Sequence, residues 1–186
     1  MEKIILASQS PRRRELLKKA QIPFEIIPSG VDENTLKTKP SAIVKELALK
    51  KARDVAGKHP GRTVLGADTI VFCKGRILGK PADIGEALEL LKLENDSWQS
   101  VYTGVALVHK NRGVELCGYE VSRCKARRLS NEELETIAGK HLDKAGGYAV
   151  QDDDDVLIEK IVGHYDNVVG LPVALVKKLL NKAGIL

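Results

Sequence analysis

From Thr63 to Cys73 the chain is apolar almost without a break, and this run narrows the choice of fold more than any other stretch. Such a run is a strand buried in a sheet. One carboxylate interrupts it, Asp68, within Gly66-Ala67-Asp68-Thr69. A carboxylate there is costly unless it has a partner or a metal. Gly66 removes a side chain where something else must come close. Two readings are open for Asp68: a strand-end acid satisfied by backbone donors, or a functional carboxylate.

The flanking segments alternate between strand and helix signals. Lys3–Ala7 is a short apolar run that reads as a buried strand, and Phe24–Ile27 as another. Pro11–Ala20 reads as a helix with Leu16, Leu17 and Ala20 on one face. Ser41–Lys58 is a long amphipathic helix, because Ile43, Val44, Leu47, Ala48, Ala52 and Val55 follow the 3.6-residue period. Lys74-Gly75 turns the apolar strand back into Arg76–Leu78. Asp83 with Glu86 makes a capping pattern for a helix to about Leu93, and Ser130 with Glu133 makes a second. Ser97–His109 and Val114–Ala126 flank a hairpin-like turn at Lys110–Gly113. Tyr148–Gln151 and Val156–Val162 read as short strands. Leu171–Ala183 reads as a closing helix with Pro172 in its first turn. The fold class is α/β with a long mixed β-sheet and flanking helices, its antiparallel centre forming a second lobe. The 186 residues make a single domain, 1–186.

Composition excludes several classes. Hydrophobic residues are 43% and charged residues 30%, which is globular and not disordered. No apolar run approaches the ~20 residues that span a bilayer, and the N-terminus lacks the apolar region of a signal peptide. A cytoplasmic location is expected. Three cysteines, an odd and widely spaced set, fit a reducing compartment. The net charge is +5, but acids interleave with the bases and aromatics are only 4%. Nucleic acid is therefore not the expected partner. An anionic small molecule accounts for the same balance.

The segment Ser8-Gln9-Ser10-Pro11-Arg12-Arg13 joins a buried strand directly to a helix. Ser10 suits the N-cap and Pro11 the first helical position. Free N–H groups and the positive dipole end make such a junction an anion site. Arg12, Arg13 and Arg14 oppose the dipole at a cost of a few tenths to ~1 kcal/mol each. A bound phosphate reverses that sign, since guanidinium groups grip phosphate in pairs of hydrogen bonds. A solvated basic helix start is the alternative. No Walker A loop is present. Lys80, in Gly79-Lys80-Pro81, is a second cation of interest. Asp32-Glu33 lies in a polar loop and reads either as solvated or, with Asp68, as an oxygen-rich metal site. The four histidines are isolated, so any metal is a hard one, Mg²⁺ or Mn²⁺.

Taken in order, these motifs resemble the Maf family of nucleoside triphosphate pyrophosphatases over essentially the whole chain. The carrying residues are Leu6–Leu17, Val31–Glu33, Ala48–Ala52, Gly66–Thr69, Gly79–Pro81, Tyr102–Val105, Asp143–Gln151 and Asn167–Pro172. The resemblance implies hydrolysis between the α and β phosphates with a divalent metal cation. It also implies a housecleaning role linked with septum formation, and a homodimer. The implied fold is similar to that of inosine-triphosphate pyrophosphatases, with two lobes around a cleft. Asp68 would be the proton acceptor, and Glu33 would hold the metal with Asp68. Ser8, Arg13, Lys51 and Lys80 would bind the triphosphate. Arg12, Thr69 and Gln151 fall where the family sets base specificity, and here they look like the dTTP/UTP branch. An inosine/xanthosine type and a non-catalytic nucleotide- or nucleic-acid-binding protein are the alternatives.

One departure stands out. Where the family continues with a glycine-rich turn after Gln151, this chain has Asp152-Asp153-Asp154-Asp155. Four acids repel one another and mimic glycine's positive φ less easily. They read as a solvated hairpin tip or as an added metal-binding loop.

Overall fold

The computed structural model describes residues 2–148 and 157–186. Gln151, Asp152–Asp155 and most of the expected Tyr148–Gln151 strand lie outside them. Tyr148 itself is buried and is not in a strand.

The first strand, β1, is Ile4–Leu6, and every residue in it is fully buried. Helix α1 spans Pro11–Lys19, with Ser10 as N-cap and a proline at its start, as the sequence signals. Strand β2 is Phe24–Ile26, and helix α2 is Pro40–Lys58. Its buried positions are Ile43, Val44, Leu47, Ala48, Ala52, Val55 and Ala56, the stripe its period predicts. Strand β3 is Val64–Cys73. Lys74 (φ 46°) and Gly75 (φ 79°) turn it into β4, Arg76–Leu78. Two successive positive φ angles match the twist of a tight hairpin.

Helix α3 is Ile84–Glu94, capped by Asp83, whose carboxylate accepts from Glu86 N at 2.8 Å. The Glu86 carboxylate reaches Ala82 N, one residue before the cap. Strand β5 (Trp98–His109) and strand β6 (Val114–Ala126) are joined by a 3₁₀ turn at Lys110–Arg112 and by Gly113 at φ 62°. Helix α4, Asn131–Ile137, has a complete capping box from Ser130 and Glu133. Strand β7 is Ile158–Val162. A short helix, α5, at Tyr165–Val169 has no sequence-level forecast, being five residues and too short to show a period. The closing helix, α6, is Val173–Lys182. Pro172 is its cap residue in extended geometry (φ −70°, ψ 98°), so the expected start at Leu171 is two residues early.

Among the described residues, seven strands form one mixed sheet, in the order β2-β1-β3-β5-β6-β7, with β4 also on β3. Strand β1 runs parallel to β2 and β3, while β3–β4 and β6–β7 are antiparallel.

The chain divides into two compact units. The first contains residues 1–68, 103–120 and 170–186. Its strand β1 and the parts of β3 and β5 that lie in it are buried on both faces, because alternate residues feed two different cores. Leu6, Leu65, Leu107, Leu17 and Leu180 share one, and Ile5, Val64, Ala106, Ala48 and Val55 share the other. The second contains residues 69–102 and 121–169, around Val71, Leu91, Val101, Leu134 and Leu157. The antiparallel centre is thus not a lobe by itself, since the middle of the β5–β6 hairpin belongs to the first unit. The three cysteines are free, and burial pushes the Cys124 thiol up to about 12. No helix among the described residues is long and apolar enough to cross a membrane.

Candidate active site

The period of β3 places Gly66 and Asp68 on the same side of the strand. A Cβ at Gly66 would overlap the Ala48 carbonyl oxygen and sit 2.8 Å from Ala52 N. Helix α2 therefore rests its main chain directly on β3, with alanines at the contact. Gly104 on β5 serves the same helix one turn earlier. A Cβ there would overlap the Val44 carbonyl and sit 2.8 Å from Lys45 N. This close seat delivers Lys51 to Asp68.

Lys51 Nζ donates to Asp68 Oδ1 at 2.7 Å and pairs with Glu33 Oε1 at 2.9 Å. The side chains of Lys51 and Asp68 are 11% and 8% exposed, and that of Glu33 is 58% exposed. The partner that the buried carboxylate requires is therefore an ammonium, and the backbone-donor reading of Asp68 gives way to an ion pair. Asp32 goes elsewhere. Its two oxygens accept from Asn34 N and Asn34 Nδ2, so it closes its own turn while Glu33 alone reaches Lys51.

Helix α1 starts as its sequence predicts, with Ser10 Oγ accepting from Arg13 N at 3.5 Å. Ser8 is buried, and its Oγ accepts from Ser10 N and from Arg13 Nη1, both at 3.2 Å. Arg13 Nε donates to Gly170 O at 2.9 Å. Burial lowers the Arg13 pKa; the Asp68 carboxylate opposes that, the Arg12 guanidinium adds to it, and Glu33 opposes it again. Ser8, Arg12, Arg13, Glu33, Lys51 and Asp68 all belong to the first unit.

Thr69 and Lys80 belong to the second unit. Lys80 is exposed and follows β4, at a point where Gly79 O accepts from Gly146 N at 3.0 Å.

Asp54, which sequence reasoning missed, fastens the loop that carries Glu33. Its Oδ2 accepts from Ser29 Oγ at 3.0 Å and Gly30 N at 3.1 Å, and its Oδ1 pairs with Lys58 at 2.9 Å. Lys50 Nζ donates to Asn34 O at 2.7 Å in the same loop. The only available signal was an acid on the helix turn that carries Lys50 and Lys51. The Lys58 ammonium, then the Gly30 N–H, hold the Asp54 carboxyl below its ordinary value. A lowered folded pKa gives stability that is complete above the unfolded pKa and lost as pH falls through the folded one. Asp54→Asn is therefore expected to unfold at a lower temperature than the parent at pH 7, with the gap closing as pH drops below about 4. Thermal melts across pH test this; a gap unchanged at low pH would refute it.

Among the described residues, no group of three or more His, Cys, Asp or Glu side chains is placed to hold a metal by itself. The donor set still suits a hard cation. Asp68 and Glu33 share one ammonium, and both offer only oxygen. One or two carboxylates completed by substrate phosphates is how proteins commonly hold Mg²⁺.

The fold is similar to that of the Staphylococcus aureus Ham1 protein, with a TM-score of 0.54 over 98% of this chain and 100% of that one, at 14% identity. At that identity the likeness concerns the fold alone. The model of the Maf family, described as Maf-like protein, matches residues 3–183, and the chain belongs to that family. A relative from Elusimicrobium minutum (strain Pei191), named dTTP/UTP pyrophosphatase, is 55% identical across 98% of this chain and 99% of its own. A second with the same name, from Bacillus mycoides (strain KBAB4), is 48% identical across 96% and 95%.

Proposed function

We propose that this chain is a hydrolase that converts dTTP and UTP to the monophosphate and pyrophosphate. The observation that carries the reading is the Lys51 ammonium held between Asp68 and Glu33, in the same unit as the Ser8–Arg13 helix start. The names of relatives that align along nearly the whole chain support the same substrates.

The chemistry needs charge neutralisation and positioning more than covalent help. Arg13, Ser8, Lys51 and Lys80 bind the triphosphate. Asp68, oriented through Oδ1 by Lys51, accepts a proton from the attacking water. The water oxygen bonds to the α-phosphorus, the bond to the αβ-bridging oxygen breaks, and pyrophosphate leaves. Mg²⁺ or Mn²⁺, which Glu33 and Asp68 would hold together with phosphate oxygens, would supply further charge neutralisation. Arg12, Thr69 and Gln151 select the base.

Pyrophosphate release from a panel of normal and modified triphosphates, with Mg²⁺ and with Mn²⁺, tests this directly. The fastest release is expected from dTTP and UTP. Release confined to purine triphosphates would move the reading to the inosine type. No release from any would leave a nucleotide-binding protein without catalysis.

A further inference from the structure

The segment Asn167-Val168-Val169-Gly170-Leu171-Pro172 has no part in the reaction described above, yet it touches the phosphate clamp. Gly170 is buried and has φ 118°, a backbone conformation that residues with a Cβ rarely adopt. Its carbonyl accepts from Arg13 Nε at 2.9 Å. The main chain that presents this oxygen is anchored. Leu171 is fully buried in the core of the first unit, and α6 begins two residues later, with Val176 also fully buried.

A guanidinium offers five N–H donors in one rigid plane. Two points fix a plane more firmly than one, and Arg13 has at least two on the protein side. Nε is tied to Gly170 O and Nη1 to Ser8 Oγ. A fork held this way is set in orientation before a phosphate arrives, so little freedom is lost on binding. We propose that Gly170 is a positioning residue, whose carbonyl sets the plane of the Arg13 guanidinium for gripping the triphosphate. The proposal rests on the pyrophosphatase reading and assigns a role in it to a motif that otherwise has none.

A four-way comparison separates this from a purely structural role: parent, Gly170→Ala, Arg13→Met and the double variant. Gly170→Ala is expected to raise KM about tenfold with kcat changed less than about threefold. In the Arg13→Met background the same change should add nothing to the loss of kcat/KM, because the group it positions is gone. Equal losses in both backgrounds, or a fall in kcat with KM unchanged, would overturn the proposal. Calorimetric binding of inorganic tripolyphosphate with Mg²⁺ runs the same cycle without turnover. A chain that releases no pyrophosphate would thus fail the activity reading separately from this one. Should Gly170→Ala not fold, the Arg13 Nε–H signal of the parent chain gives the answer by nitrogen-15 NMR. A resolved, slowly exchanging signal is expected, and one exchanging like exposed arginines refutes the idea.

Discussion

Asp68→Asn is expected to keep the fold and to lower kcat by about 10²–10⁴-fold, the usual worth of a positioned general base. The amide still accepts a hydrogen bond from Lys51, and Lys51 keeps Glu33 at 2.9 Å, so the ammonium is not stranded. What disappears is the capacity to take a proton, together with one of the two carboxylate charges assigned to the metal. At saturating Mg²⁺, KM should change far less than kcat, because Ser8, Arg13, Lys51 and Lys80 are unsubstituted. Steady-state kinetics, with circular dichroism as the check on folding, decide the matter. Near-parental turnover in the folded variant would remove Asp68 from the chemistry and leave it as a buried ion-pair partner.

The second large effect falls on stability. Gly66→Val is expected to cost about 3 kcal/mol or more, lowering the melting temperature by roughly 10 °C. The added carbons would meet the Ala48 carbonyl and Ala52 N, which are helix backbone and cannot rotate aside. Any relief must lift α2 from β3 and draw Lys51 from Asp68, so activity should fall further than the melting temperature alone suggests. Gly57→Ala on the same helix is the control. Nothing lies within 4 Å of a Cβ there, and the change should stabilise by about 0.5–1 kcal/mol through helix propensity. Melts of the two variants would disprove the argument if both shifted in the same direction.

Much of this fold was legible because its signals are local. Ser10, Asp83 and Ser130 cap the helices they announce, and the apolar stripe of α2 is buried position by position. Where the reading ran out, the deciding contact was distant in sequence. Gly66 announced a close approach, but only the fold reveals α2 as what approaches. Asp68 announced a need for a partner, and Lys51 is 17 positions away. Gly170 is 157 positions from Arg13, beyond the reach of any spacing rule. Asp32 and Glu33 look equivalent as neighbours in a loop, yet Asx-turn geometry claims one and leaves the other for Lys51. Helix α5 and the cap at Pro172 escaped because short elements owe their form to packing more than to periodicity.

Strand β3 constrains length as well as identity. Asp68 and Thr69 are consecutive, so the pleat turns their side chains to opposite faces. One residue inserted or deleted between Val64 and Ala67 would exchange those faces. The carboxylate would turn into the core that holds Leu65 and Ala67, and the threonine would turn toward Lys51. Substitutions along this stretch can be graded in effect, whereas a single-codon indel removes both residues from their posts at once. Sequence drift within the strand is therefore confined to changes that keep its count.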